Sequence, residues 1–162
     1  MKISRSPSRS RSTEALALAL LLASLYAGDA PAQSLSNSAG LSFGSFAAGM
    51  GGTITVNAVG ARSKSGNVVL ASGGVASAAQ FLLTGTPGAT YTITLPSDGT
   101  VVLSNGGSTM ALNSFVSTPS GANIPLGGGG TQIISVGATL TVSAAQAPGN
   151  YTGSFNVTVD YP

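Results

Sequence analysis

Apolar and polar residues alternate along most of the chain beyond residue 33. Thr53-Ile54-Thr55-Val56-Asn57 alternates. So does Tyr91-Thr92-Ile93-Thr94-Leu95, which Pro96 ends. A period of two sends successive side chains to opposite faces of a pleated strand. The clearest run is the last. Tyr151, Phe155, Val157, Val159 and Tyr161 share one face, with Gly153 between; Thr152, Ser154, Asn156, Thr158 and Asp160 take the other. Such a run predicts one long strand, about 36 Å at ~3.3 Å per residue. Weaker strand patterns cover 41–46, 68–71, 80–84, 100–103, 110–116 and 133–142. Beyond residue 33 no stretch has the period of a long amphipathic helix.

Turn chemistry separates these runs. Pro87-Gly88 and Pro148-Gly149 suit the central positions of type II turns, because Pro presets φ and Gly supplies φ > 0. Ser72-Gly73-Gly74, Ser97-Asp98-Gly99 and Asn105-Gly106-Gly107 read as hairpin or loop punctuation. The four glycines 127–130 resemble a phosphate cradle only superficially. Thr131, Gln132 and strand-like residues follow them, with no Lys and no helix, so a flexible loop is expected. Many short strands with regular turns predict an all-β antiparallel sandwich. A transmembrane barrel needs alternating segments of about ten residues throughout, with aromatic girdles, and this chain has neither.

The first 32 residues read differently. Lys2, Arg5, Arg9 and Arg11 precede an apolar run at 15–27, and Ala30-Pro31-Ala32 follows with small residues. This is the layout of a secretory signal peptide, cleaved between Ala32 and Gln33. The apolar run falls short of the ~20 residues that span a bilayer. The expected organisation is a signal peptide at 1–32, a short polar segment at 33–40 and a β-sandwich domain at 41–162. The product is expected to be exported to the periplasm, outer cell surface or extracellular space, with no membrane span after signal removal.

Charge and composition then remove most chemistry. The chain has six basic and four acidic residues, no Cys and no His. Beyond residue 33 only Arg62, Lys64, Asp98 and Asp160 are charged. Nothing there could neutralise a nucleic-acid backbone. Without Cys, the core rather than disulfides must hold the fold. Asp98 sits in a turn, where local bonding is expected. Asp160 lies on the polar face of the last run, and Arg62 and Lys64 read as a solvated loop. No acid–base pair or ligand cluster emerges, so no catalytic residue, cofactor or metal is expected.

Tyr151 starts the last strand just after a turn. Immunoglobulin-like domains place a Tyr there, its hydroxyl bonding back to main chain. On that reading the strand corresponds to F, and a sandwich lacking its last (G) strand is expected, with an unfilled position beside an apolar-faced edge. Either this chain's Leu41 or Phe43 fills the gap, or another chain donates a strand.

The residues that frame this pattern are Leu41-Ser42-Phe43-Gly44, Gly60-Ala61-Arg62-Ser63 and Thr86-Pro87-Gly88-Ala89-Thr90-Tyr91. Val136-Gly137-Ala138-Thr139-Leu140 and Pro148-Gly149-Asn150-Tyr151-Thr152-Gly153 complete it. In this order they resemble the bacterial DUF4402 family, from Leu41 to Tyr161. The chain is similar, more distantly, to spore coat protein U-like and other chaperone–usher pilins. That similarity implies an immunoglobulin-like fold completed by a neighbour's N-terminal extension, with a periplasmic chaperone, an usher and like subunits as partners. The donor-strand groove would then be walled by Tyr151, Phe155, Val157, Val159 and Tyr161. One feature departs from those pilins: 33–40 reads QSLSNSAG, with Leu35 its single large apolar residue, too polar for a donor strand. The expectation is a non-catalytic exported surface or structural protein, pilin-like, that accepts a strand. The alternative is a self-contained secreted β-sandwich that binds or adheres through its loops.

Overall fold

The computed structural model describes residues 33–162. The signal-peptide reading, with Ala30 and Ala32, lies outside them, and Gln33 is the first described residue. Fourteen strands follow: β1 (Ser34–Ala39), β2 (Ser42–Phe43), β3 (Phe46–Ala47), β4 (Gly52–Val56), β5 (Arg62–Gly66), β6 (Val69–Leu70) and β7 (Ala76–Ser77), then β8 (Ala79–Thr84), β9 (Thr90–Thr94), β10 (Val101–Asn105), β11 (Ser108–Thr118), β12 (Ile124–Pro125), β13 (Thr131–Val142) and β14 (Thr158–Asp160). The fold is an all-β antiparallel sandwich.

One layer is a seven-stranded sheet organised on β13. β11 lies along one side of β13, from Ser135 to Leu140. On the other side β13 pairs first with β8, from Thr131 to Val136, and then with β4, from Ala138 to Val142. β1 adds to β8, β5 to β4 and β10 to β11. The second layer is made of shorter pieces. β9 holds β12 on one side and β14 on the other. β2 pairs with β7, and β3 with β6.

The period of two shows directly in burial. Ile134, Val136, Ala138, Leu140 and Val142 of β13 are buried, as are Ala79, Phe81 and Leu83 of β8 and Ile54 and Val56 of β4. Each such aliphatic side chain contributes about 1.5–3 kcal/mol of transfer free energy. The core falls into two clusters, one around Ile54, Leu112 and Leu140, the other around Tyr91, Leu126 and Ile134. Leu41, Phe115 and Phe155 pack against both and join them.

Three sequence readings are corrected here. The polar segment 33–40, set apart from the domain, supplies β1, which extends the sheet at β8. An edge strand needs only main-chain partners, so apolar alternation does not mark it. Likewise Arg62 and Lys64 lie in β5, not in a solvated loop. The final run, predicted as one strand, is laddered only at Thr158–Asp160, with an isolated bridge between Thr152 and Ser104. Its alternation survives as burial: Tyr151, Phe155, Val157, Val159 and Tyr161 are half-buried, and the residues between them are exposed.

The turns divide in the same way. At Pro87-Gly88, Gly88 has φ +76° and Ala89 N donates to Thr86 O at 3.1 Å, as a type II turn requires. At Pro148-Gly149, Gly149 has φ +154°, far from the ~+80° of that turn, so the corner is built otherwise. The glycine run closes a turn, with Gly130 N donating to Gly127 O at 2.9 Å.

Candidate functional site

The second layer is interrupted. An open groove of about 830 Å³ separates residues 40–48 from residues 146–155. Its floor is the inner face of the large sheet: Val101, Leu103, Met110, Leu112 and Leu140 towards one end, Ala79 and Phe81 towards the other. Its walls carry only short strand pieces, β2 and β3 on one side and the isolated bridge at Thr152 on the other.

The first wall carries β2 and β3. They pair with β7 and β6, whose residues do not line the groove, so the wall's opposite edge faces the gap. Phe43 is buried in the first core cluster, and Leu41 is half-buried between the two. Both line the groove without filling it. This is the partial extent to which the chain closes its own seam.

Arg62 secures that wall. Its Nη1 donates to Phe43 O at 3.0 Å and Ser45 O at 3.2 Å, and its Nη2 to Ala71 O at 3.1 Å. Lys64 Nζ donates to Val68 O at 2.6 Å. Both cations of β5 therefore serve main-chain carbonyls. The sequence reading missed this, because nothing local distinguishes a bonded Arg from a solvated one in a Gly/Ser-rich stretch.

The second wall begins at a tyrosine corner. Tyr151 Oη donates to Ala147 O at 2.7 Å and accepts from Gln146 Nε2 at 2.9 Å. Gln146 Nε2 also reaches Thr109 O at 3.2 Å, which ties the corner to β11. The hydroxyl bonds back to main chain four residues upstream, as immunoglobulin-like domains place it. The chain then crosses β10, where Ser104 and Thr152 exchange main-chain bonds of 2.8 and 3.1 Å. Gly153 makes the crossing possible: a Cβ there would lie 2.5 Å from Val102 O. Residues 153–157 belong to no ladder, and pairing resumes at Thr158 with β9. Among the described residues, no strand covers the free side of β14.

Of the five residues read as a groove wall, Tyr151 and Phe155 line the groove. Phe155 packs edge-on to Phe81 at 6.2 Å and tilted to Phe115 at 5.2 Å. Val157, Val159 and Tyr161 pack against the second core cluster instead. The Tyr161 ring lies tilted against that of Tyr91 at 6.2 Å, and both hydroxyls are buried without a partner. Burial pushes the Tyr91 phenol pKa above its ordinary 10.0, and the neighbouring Tyr161 adds to the effect. Burial also raises that of Tyr161.

The acidic side chain that the sequence placed in a turn, Asp98, lies outside the groove. Asp98 accepts from Ser114 N at 2.6 Å, capping a bulge in β11 where Ser114 has φ +49°. It serves a residue far along the chain rather than its own turn. Among the described residues no three acidic, His or Cys side chains gather to hold a metal ion. Among them, too, no helix is long and apolar enough to cross a membrane. What the site does offer is two stretches of backbone, 40–48 and 146–155, flanking an apolar floor.

The sequence model of a family described as "Domain of unknown function (DUF4402)" matches residues 34–161. No curated protein and no solved structure matches the chain.

Proposed function

The chain belongs to the DUF4402 family, and from that premise we propose that it is a non-catalytic exported structural protein, a pilin-like surface subunit whose seam accepts an extended strand from another polypeptide. The observation that carries this reading is the groove itself. It has a volume of about 830 Å³ and is floored by Phe81, Leu103 and Leu112 and walled by residues 40–48 and 146–155. A strand laid there would join β2 and β3 to the final segment as one sheet. Its main chain would pair with wall backbones, and alternate side chains would enter the floor.

The partners this reading implies are a periplasmic chaperone and usher, and subunits with apolar N-terminal extensions. The chain's own N-terminal segment is a poor donor. Ser34–Ala39 is engaged with β8 as β1 and offers Leu35 alone as a large apolar side chain. Export is supported by the basic, apolar and small-residue layout of the first 32 residues.

The test is strand capture by the mature protein. The probe is a peptide of roughly ten residues alternating Val with Thr, which spans ~33 Å when extended. At a hundred times its Kd, a ligand stabilises the fold by about 2.7 kcal/mol. For a domain of this size that raises the Tm by roughly 10 °C. A scrambled peptide with its apolar residues in one block should do nothing. Equal response to both peptides, or to neither, rejects the proposal.

A second reading has its own support. Phe43 is buried from within the chain and β1 covers the β8 edge, so the domain is already partly closed in cis. This favours a self-contained adhesion module. It would melt cooperatively as a monomer and ignore both peptides.

A further inference from the structure

We infer that Arg62 is the positioning residue that keeps the seam open as a preformed slot; the inference rests on the strand-acceptor reading above. The wall at residues 40–48 is discontinuous. β2 ends at Phe43 and β3 starts at Phe46, so the ladder lapses at Gly44 and Ser45. Two carbonyls at this lapse, Phe43 O just before it and Ser45 O within it, converge on one Arg62 nitrogen. The other terminal nitrogen takes Ala71 O from the returning stretch. Arg62 itself is fixed to the large sheet, where β5 pairs Arg62 with Val56. One guanidinium thus ties the outer wall to the opposite layer.

The chemistry requires an arginine. Three carbonyls shared between two terminal nitrogens suit a fork with several fixed donors, whereas an ammonium is a compact point charge. Gly44 leaves the room, since a Cβ there would lie 2.5 Å from Arg62 Nη1. Without the fork, two forces act together. Phe43 O and Ala71 O lose this donor and Ser45 O keeps only the Ala71 amide, and covering the apolar surface that half-buried Leu103 and Phe155 still show to the groove draws the wall inward. The wall then settles over Leu103, and the slot closes. Preorganisation is lost, and an incoming strand must first reopen its own site.

The test compares Arg62→Met, Arg62→Lys and Leu126→Ala in the mature protein. Leu126 is buried in the second core cluster and does not line the groove, so its truncation destabilises the fold without touching the wall. The readouts are affinity for the alternating Val/Thr peptide and amide exchange at Ser45 and Ala71, whose amides donate to Gly73 O and Ser45 O. The expectation is that Arg62→Met weakens peptide binding about tenfold or more and exposes both amides. Arg62→Lys should recover part of each, and Leu126→Ala should keep the affinity within about twofold. Unchanged affinity in Arg62→Met, or an equal loss in Leu126→Ala, overturns the inference. If the unmodified protein captures no peptide, the strand-acceptor reading falls by itself. Amide exchange then judges Arg62 alone: protection retained at Ser45 and Ala71 in Arg62→Met shows that it holds no wall.

Discussion

Gly153→Ala should destabilise this domain far more than the same exchange at Gly128. The added methyl is identical, and only the surroundings differ. At Gly153 a Cβ would lie 2.5 Å from Val102 O and 3.0 Å from Leu103 Cδ2; at Gly128 nothing lies within 4 Å. To accept the methyl, the final segment must lift from β10. That movement endangers both main-chain bonds between Ser104 and Thr152, at 2.8 and 3.1 Å. Overpacking costs about 1–3 kcal/mol, and each bond contributes about 0.5–1.5 kcal/mol. A total near 3 kcal/mol is therefore reasonable. With ~2.1 cal/mol/K of unfolding entropy per residue over residues 33–162, that lowers the Tm by about 11 °C. Gly128→Ala should leave the Tm unchanged or raise it slightly, because it restricts only the unfolded chain. Calorimetry supplies both numbers, and amide exchange at Thr152 reports whether the crossing has lifted. If the two variants melt within about 2 °C of each other, the crossing does not depend on Gly153 and this account is wrong.

Further outcomes follow from the same contacts. Tyr151→Phe removes a hydroxyl bonded to Ala147 O and Gln146 Nε2; the loss of about 1 kcal/mol should lower the Tm by roughly 4 °C. Tyr91→Phe should be neutral or stabilising in the same assay, because the Tyr91 hydroxyl is buried without a partner. The raised phenol pKa values of Tyr91 and Tyr161 set a direction in alkali. The unfolded chain releases its protons near pH 10.0 and the folded chain later, so stability is level below that pH and falls as pH rises above it. A pH series of melts that stays flat well beyond pH 10.0 would contradict the burial of these phenols. Finally, Arg62, Lys64 and Asp98 are already bonded to main chain. Strand capture should therefore change little between low and high salt, and a steep salt dependence would point to a charged partner.

The strands that could be read from sequence are those with one buried face. β4, β8, β9, β11 and β13 carry period-two apolar patterns, and each was placed within a few residues. β1 and β5 escaped notice for a shared physical reason. Ser34-Leu35-Ser36-Asn37-Ser38-Ala39 and Arg62-Ser63-Lys64-Ser65-Gly66 sit at sheet edges, where main-chain bonds to β8 and β4 hold them. Side-chain hydropathy is silent about such bonds. Asp98 shows the same limit for polar residues: its turn was legible, but its partner, Ser114 N, lies across the sheet.

The final segment shows what alternation does and does not report. Tyr151 to Tyr161 alternates in sequence and alternates in burial, yet residues 153–157 pair with nothing. Hydrophobic period records which way side chains face; it carries no information on whether a neighbouring backbone is present. That gap between pattern and pairing is itself the signal at this site. In a closed sandwich, a segment with an apolar face this long is laddered on both sides, because unpaired edges are costly to leave bare. Here the apolar face is retained while the ladder is missing, and beneath it half-buried Leu103, with buried Leu112 and Phe81, lines the groove. On the strand-acceptor proposal, this apolar face over an unpaired backbone awaits another strand beside it. The same reasoning explains why only Tyr151 and Phe155 of the five wall residues line the groove. Val157, Val159 and Tyr161 already have their neighbours in β9 and Tyr91, so the unmet demand is confined to the half of the segment before β14.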